Sequence, residues 1–219
     1  MYFLTYLNGY HLKRFDLLSD ELIQFINDYP SAGWKASKQN RFKSISDVYN
    51  TLGYHGIRHL KPKIFPIISH EDKNISLPDY FDSREQWKNC PSINFIQDQS
   101  KCDSGWAVAS AAAISDRTCI QTNGTLKVQL SAIELISCCP EMQTGCQVGY
   151  SEYAWNYWKK NGLVTGNSTG CLPYPFPKCD HEQPNSYPKC GFTTYKTPPC
   201  KKACRCGYPI PYNADKHYG

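Results

Sequence analysis

Residues 99–106 read QSKCDSGW, and they open an alanine-rich stretch that continues to residue 121 as AVASAAAISDRTCIQ. Alanine has the highest helix propensity, and the apolar residues of 104–121 lie on almost every side of a helix drawn through them. The stretch is therefore predicted to form a helix in the protein interior.

Two shorter helices are predicted on the carboxyl side of this segment. Residues 131–138 begin with Ser131 and Glu134 at the spacing of a capping box, in which each side chain bonds the other residue's backbone. Residues 150–161 stack aromatic side chains on one face, and Gly162 follows as a C-terminal stop. Beyond this glycine, prolines and cysteines predominate, so loops held by disulfides are predicted.

On the amino side the sequence contains one amphipathic helix and a linker. Residues 17–28 (LLSDELIQFIND) place apolar side chains on one helical face, with Ser19 as the N-cap. Residues 61–76 contain two prolines and a charged cluster without periodicity, which predicts an exposed linker open to proteolysis.

The cysteines divide the chain into two regions. All 12 cysteines of the 219 residues lie between Cys90 and Cys206, and residues 1–89 contain none. Such density predicts a disulfide framework and an oxidising compartment, and it excludes a typical cytosolic enzyme. Three N-glycosylation sequons agree with export, at Asn74, Asn123 and Asn167.

Composition and charge exclude several further classes. Apolar residues make up 41% and charged residues 20% of the chain, which is typical of a globular protein. The net charge of +5 is not gathered into a basic stripe, so nucleic acid is not an expected partner. The sequence contains no run of 18 apolar residues, so no membrane-spanning helix is predicted. Residues 1–7 do not form a clear signal-peptide core.

Stretches on both sides of the opening segment resemble one known family. LPDYFDSREQW at 77–87, ISDRTCI at 114–120, AWNYW at 154–158 and DKHYG at 215–219 are similar to the papain-like cysteine proteases, and to their cathepsin B-like members in particular. The resemblance implies an α+β, papain-like fold with a helical left lobe, a propeptide and an occluding loop, and with most of the β-rich right lobe absent. It assigns residues 1–76 to a propeptide-like region and residues 77–219 to an incomplete peptidase domain.

The resemblance also identifies the catalytic position. The family signature C-G-[SA]-C-[WY] places a nucleophilic cysteine at a helix N-terminus, where the dipole and a histidine lower the pKa of its thiol. Here residues 102–106 read CDSGW, so this position holds Gly105, while Gln99 matches the oxyanion-hole glutamine. The neighbouring Ser104 has no base to activate it. Because the family's catalytic histidine and asparagine lie beyond the point at which this sequence ends, we expect no catalysis.

Substrate contacts are altered as well. The family's N-G-G-Y becomes QVGY, in which Val148 replaces a glycine that lets substrate backbone approach and Gly149 is retained. Residues 177–190 resemble the occluding loop, whose two histidines hold a substrate's terminal carboxylate. The first is His181, but the second position holds Glu182, an anion that repels a carboxylate.

Five disulfides follow from the resemblance: Cys90–Cys119, Cys102–Cys146, Cys138–Cys200, Cys171–Cys204 and Cys179–Cys190. Cys139 and Cys206 remain, and a compensating bridge between them is a candidate that sequence alone does not establish. A zinc site of Cys204 and Cys206 with Cys179 and His181 is disfavoured, because the paired C-x2-C spacing is missing. No metal and no cofactor is predicted.

Three functional hypotheses follow. The favoured one is a catalytically inactive cathepsin B-like peptidase homologue, extracellular or lysosomal, that would meet peptide or protein substrates and protease inhibitors. The alternative is a non-catalytic decoy or binding protein for peptides, propeptides or cystatin-type inhibitors. A third is a truncated product that lacks its second lobe and, with an apolar face exposed, is poorly stable.

Overall fold

The computed structural model describes residues 15, 16, 18–38, 44, 45, 69, 76–141, 145–180, 187–191 and 193–219. The helices that lie wholly within these ranges are α1 (Asp20–Asp28), α2 (Ser83–Gln86), a 3-10 helix (Pro91–Asn94), α3 (Gly105–Gln121), α4 (Ala132–Cys138) and α5 (Ser151–Asn161). Within the same ranges, β structure consists of isolated bridges: Leu130–Thr165, Leu163–His217 and Asp180–Lys189. The helices predicted over 17–28, 104–121, 131–138 and 150–161 are confirmed, whereas α2 and the 3-10 helix were not predicted.

Helix α1 begins as its sequence predicts. The Oγ of Ser19 accepts a hydrogen bond from the backbone N–H of Leu22 at 3.1 Å, which satisfies one of the free donors at the helix start. Phe25 contacts the buried ring of Phe15, with ring centroids 4.9 Å apart. The predicted linker over 61–76 lies outside the described residues, apart from residues 69 and 76.

Helix α3 is the centre of the core. It packs against both α4 and α5. Ile114 is fully buried, and burying a side chain of this size stabilises the fold by about 1.5–3 kcal/mol. The Oγ of Ser115 donates to the carbonyl of Ala111 at 2.6 Å and accepts from the N–H of Leu130 at 2.9 Å, so this buried hydroxyl joins the helix to the segment before α4.

The start of α4 corrects one prediction. Ser131 is the N-cap, and its Oγ accepts from the N–H of Glu134 at 3.2 Å, as expected. The reciprocal half of the capping box is not formed, because the N–H of Ser131 donates to the carbonyl of Val164 at 2.9 Å. The carboxylate of Glu134 turns into the interior instead.

Glu134 is the centre of a buried polar network. Its Oε1 accepts hydrogen bonds from Tyr157 at 3.3 Å, from Tyr212 and from the ammonium of Lys216. Its Oε2 accepts from the N–H of Val164 at 2.8 Å. Glu134 is fully buried and the Lys216 side chain is 6% exposed, so this pair fixes the final segment of the chain against α4.

Helix α5 ends at Gly162 because only glycine suits that position. Gly162 has φ +67°, in the left-handed region, and its N–H donates to the carbonyl of Trp158 at 2.9 Å. A Cβ at this position would lie 3.0 Å from the ring of Tyr218. The predicted stop is confirmed.

The five disulfides implied by the resemblance are present: Cys90–Cys119, Cys102–Cys146, Cys138–Cys200, Cys171–Cys204 and Cys179–Cys190. The candidate bridge between the remaining two cysteines is not formed. Cys139 is a buried free thiol that donates to the carboxylate of Glu141 at 3.3 Å, while Cys206 is exposed and also free. Cys139 lies within the core at the end of α4, whereas Cys206 lies at the surface.

Candidate active-site cleft

Gly105 is the first residue of α3, at the helix end where the family places its nucleophile. The residue is half-buried, and a Cβ built on it would lie 3.4 Å from the Oε1 of Gln99, an ordinary van der Waals distance. The fold thus leaves room for a side chain at position 105, directly beside the glutamine. The position lacks a reactive group because of its residue type and not because of its surroundings.

The segment before the helix is held in one conformation. The Cys102–Cys146 disulfide joins it to the segment 145–150, and the N–H of Asp103 donates to the carbonyl of Cys146 at 2.9 Å. Ser100 has φ +57°, and its N–H donates to the carboxylate of Asp98 at 2.6 Å. Gln99 therefore stands on a constrained turn that directs it towards the helix start.

Ser104 does not offer a substitute nucleophile. Its side chain is fully buried, and its Oγ donates to the carbonyl of Cys102 at 3.2 Å and lies 2.8 Å from the Oη of Tyr174. The phenol of Tyr174 donates to the carbonyl of Gln99 at 2.8 Å. Burial raises the pKa of Tyr174 to about 12, so this phenol is neutral at physiological pH and accepts no proton from the serine.

Tyr174 is the residue of this site that sequence reasoning missed. It ties Ser104 to Gln99 from a proline-rich stretch 70 positions beyond the serine. No spacing or motif in that stretch marks it, because its role depends on the folding of a distant loop against the helix.

Gly149 packs so closely on Trp106 that only glycine fits at this position. A Cβ at this residue would collide with the indole of Trp106, which is 2% exposed and donates through Nε1 to the carbonyl of Gly145 at 3.0 Å. The neighbouring Val148 is half-buried. The structure thus brings the QVGY segment, residues 147–150, against the first turn of α3.

The described base of the occluding-loop region lies against the segment that precedes α3. The Cys179–Cys190 disulfide closes it, and the N–H of Cys190 donates to the carbonyl of Asp180 at 3.0 Å. The Sγ of Cys179 lies 3.5 Å from the Oγ of Ser100. His181 and Glu182, predicted to face a substrate carboxylate, lie outside the described residues.

The zinc hypothesis is wrong because two of its sulfur ligands are disulfide-bonded. Cys179 and Cys204 are each in a disulfide, so neither offers a thiolate. In the part of the chain that the structure describes, no three His, Cys, Asp or Glu side chains are grouped as metal ligands would be. None of the helices in that part is long and apolar enough to cross a membrane.

Comparison with known proteins agrees with this geometry. The sequence model for papain family cysteine proteases matches residues 77–216, and the chain belongs to this family. Within the family it is a homologue of cathepsin B-like proteinases. It is 49% identical over 212 residues to a cathepsin B-like cysteine proteinase of Schistosoma japonicum, covering 94% of this chain and 62% of that protein. It is 38% identical to cathepsin B-like cysteine proteinase 6 of Caenorhabditis elegans, covering 93% of this chain and 56% of that protein.

A solved structure shows the same fold. Procathepsin B S9 from Trypanosoma congolense superposes with a TM-score of 0.61 at 33% identity, covering 89% of this chain and 61% of that one. The predicted α+β, papain-like fold is confirmed. The chain spans about 60% of the length of these relatives, from 56% to 62%.

Proposed function

We propose that this chain is a cathepsin B-like peptidase homologue that does not hydrolyse peptides. The observation that carries the proposal is at position 105, where the fold leaves space beside Gln99 and the sequence places no side chain. Glycine has no atom that attacks a carbonyl. An oxyanion hole without a nucleophile leaves only a small residual rate acceleration.

No other group in the described cleft replaces the missing thiol. Ser104 is buried and its hydroxyl is engaged by Cys102 and Tyr174. Of the two free thiols, Cys139 lies at the end of α4, where burial, with the carboxylate of Glu141, raises its pKa to about 12. Cys206 lies on the surface, in the segment that follows the Cys171–Cys204 disulfide. The proposal therefore depends on the residue at 105 and holds for any longer product that contains it.

Other features follow the family. Residues 1–76 serve as a propeptide-like region and residues 77–219 as the peptidase-like part, a division supported by the family match that begins at residue 77. Five disulfides support an extracellular or lysosomal location. Within the occluding loop, Glu182 disfavours capture of a peptide's C-terminal carboxylate, so dipeptide removal is not restored by a thiol at position 105 alone.

A labelling experiment tests the missing nucleophile. The wild-type chain and the Gly105→Cys variant are treated with a thiol-directed peptide epoxide and with iodoacetamide, and the adducts are mapped by mass spectrometry. In the wild-type chain we expect no adduct of either reagent within residues 99–106. The Gly105→Cys variant gains an iodoacetamide adduct in this segment, which shows that the position is accessible. An epoxide adduct on the wild-type segment 99–106 contradicts the proposal.

A second candidate is a non-catalytic binder of peptides, propeptides or cystatin-type inhibitors. Support comes from the retained cleft wall, in which Gln99 borders position 105 and Gly149 packs on Trp106. Val148 opposes it, because its side chain occupies a position where the family presents bare backbone. We expect a monomeric chain to retain a cystatin-type inhibitor at micromolar Kd, and the Val148→Gly variant to bind more tightly. A monomeric chain that retains neither inhibitor nor peptide excludes this candidate.

A further inference from the structure

A groove separate from the cleft lies between the segment that follows α2 and the end of α3. Its volume is about 300 Å³. One wall comes from the chain around Trp87 and the other from the last turn of α3 and the residues after it. The lining residues used below are Trp87, Lys88, Asn89, Ile120, Asn123 and Gly124.

The two walls are fixed relative to each other. The Cys90–Cys119 disulfide joins them directly. Gly124 has φ +76°, and a Cβ on it would lie 3.0 Å from the Cβ of Asn89, so the walls approach closely at this glycine. Within the α3 wall itself, the N–H of Gly124 donates to the carbonyl of Cys119 at 2.8 Å. The disulfide and this close approach therefore hold the two walls side by side before any group enters the groove.

Asn123 stands at the edge of this groove and is the acceptor residue of the sequon Asn123-Gly124-Thr125. It is exposed, with φ +51° in the left-handed region just after the helix. The side chain of Asn167, in a second sequon, is engaged locally, since its Oδ1 accepts from the N–H and the hydroxyl of Thr169, both at 3.2 Å. The third sequon residue, Asn74, lies outside the described residues.

The lining of the groove suits a sugar. A pyranose ring presents C–H groups on its faces and hydroxyls around its rim. Trp87 and Ile120 supply apolar surface for a face, while Asn89 and Lys88 supply donors and an acceptor for the hydroxyls and for an acetamide. A sugar bound covalently at Asn123 would have a millimolar effective concentration at the groove, so weak contacts are sufficient to hold it there.

We propose that Asn123 carries an N-linked glycan whose first N-acetylglucosamine lies in this groove against Trp87. In the modification, Nδ2 of Asn123 forms a bond to C1 of a lipid-diphosphate-linked oligosaccharide. The bond from C1 to the diphosphate oxygen breaks, the lipid diphosphate leaves with the electron pair, and the amide loses one proton. The sugar then contacts both walls and stabilises the packing of the α2 segment against α3. The inference requires export of the chain but is independent of its lack of peptidase activity.

The full chain, preceded by a cleavable signal peptide, is secreted from eukaryotic cells that make only high-mannose glycans, and occupancy of Asn123 is measured by mass spectrometry. One portion is trimmed with endoglycosidase H, which leaves a single N-acetylglucosamine, and another is freed of sugar with peptide N-glycosidase F. We expect Asn123 to be occupied. We also expect the trimmed form to exchange amide hydrogens more slowly over residues 86–90 and to melt about 2–4 °C higher than the sugar-free form.

Two variants serve as controls. Asn123→Gln is free of sugar at this position without the negative charge that peptide N-glycosidase F introduces, so its amide exchange over residues 86–90 must match that of the sugar-free form. Trp87→Leu keeps the sequon and must lose both the slower exchange and the higher Tm. An unoccupied Asn123, or equal exchange over residues 86–90 in the trimmed and sugar-free wild-type forms, overturns the proposal, and the exchange result does not depend on the folding of any variant.

Discussion

The Oε1 of Gln99 lies 3.4 Å from the point where a Cβ on Gly105 would stand. The glutamine that matches the family's oxyanion-hole residue thus lies beside the position that matches the family's nucleophile, and this position holds glycine. A disulfide, a constrained turn and Tyr174 hold this arrangement. Gln99 and the segment around it are thus held in place although position 105 has no side chain.

The space at position 105 predicts that a small side chain is tolerated there. Gly105 has no positive φ, so the Gly105→Ala variant should be more stable by about 0.4–1 kcal/mol, because alanine restricts the unfolded chain. Gly149→Ala is the matched control, and it should lose about 1–3 kcal/mol because its Cβ collides with Trp106. Urea unfolding measures both, and a destabilised Gly105→Ala variant would show that position 105 has no room for a side chain.

The buried pair of Glu134 and Lys216 predicts strong coupling. Glu134→Gln leaves the ammonium of Lys216 without its charge partner in the interior, so we expect a loss of about 3–5 kcal/mol in the free energy of unfolding. Lys216→Met in the same chain should recover part of this loss, because no unpaired charge then remains. A double-mutant cycle measures the coupling, and additive losses would mean that the two groups do not interact.

Acid should weaken the fold through His217. Burial lowers the pKa of this imidazole below its usual 6.5, and the nearby Asp215 opposes the shift only in part. The unfolded chain therefore binds the proton more readily, so the contribution of His217 is fully present above pH 6.5 and is lost as pH falls through the folded pKa. We expect His217→Gln to lose less stability than wild type on acidification from pH 7 to pH 5, and an NMR titration to give a pKa below 6.5.

The two free thiols should differ in reactivity. A thiol reagent added to the native chain should modify Cys206, which is exposed. Cys139 should react only after unfolding, because burial and the carboxylate of Glu141 raise its pKa to about 12. Stoichiometric thiol counting before and after denaturation checks this. A count of zero in the denatured, unreduced chain would instead indicate the Cys139–Cys206 bridge.

Local signals in the sequence predicted the helices well. Ser19 caps α1, Ser131 caps α4 and Gly162 ends α5 through contacts with residues only a few positions away. The four-residue helix α2 was missed because one turn is too short to show periodicity.

Long-range contacts were the part that sequence could not predict. The capping-box prediction was half wrong because the carboxylate of Glu134 binds Lys216, 82 positions away, in preference to its own backbone. The five disulfides were predicted from resemblance and not from spacing, and resemblance offered no guide to Cys139 and Cys206. Tyr174 could not be identified either, since its contact with Ser104 exists only once the proline-rich loop has folded.

The most direct test of the central claim is hydrolysis of a fluorogenic dipeptide substrate by the purified chain, with and without a thiol-directed peptide epoxide. We predict no release of fluorophore above the buffer blank. The Gln99→Ala variant, purified in parallel, identifies any contaminating protease, because a contaminant is insensitive to this change. Turnover by the wild-type chain that the epoxide abolishes and that falls in Gln99→Ala would contradict the account.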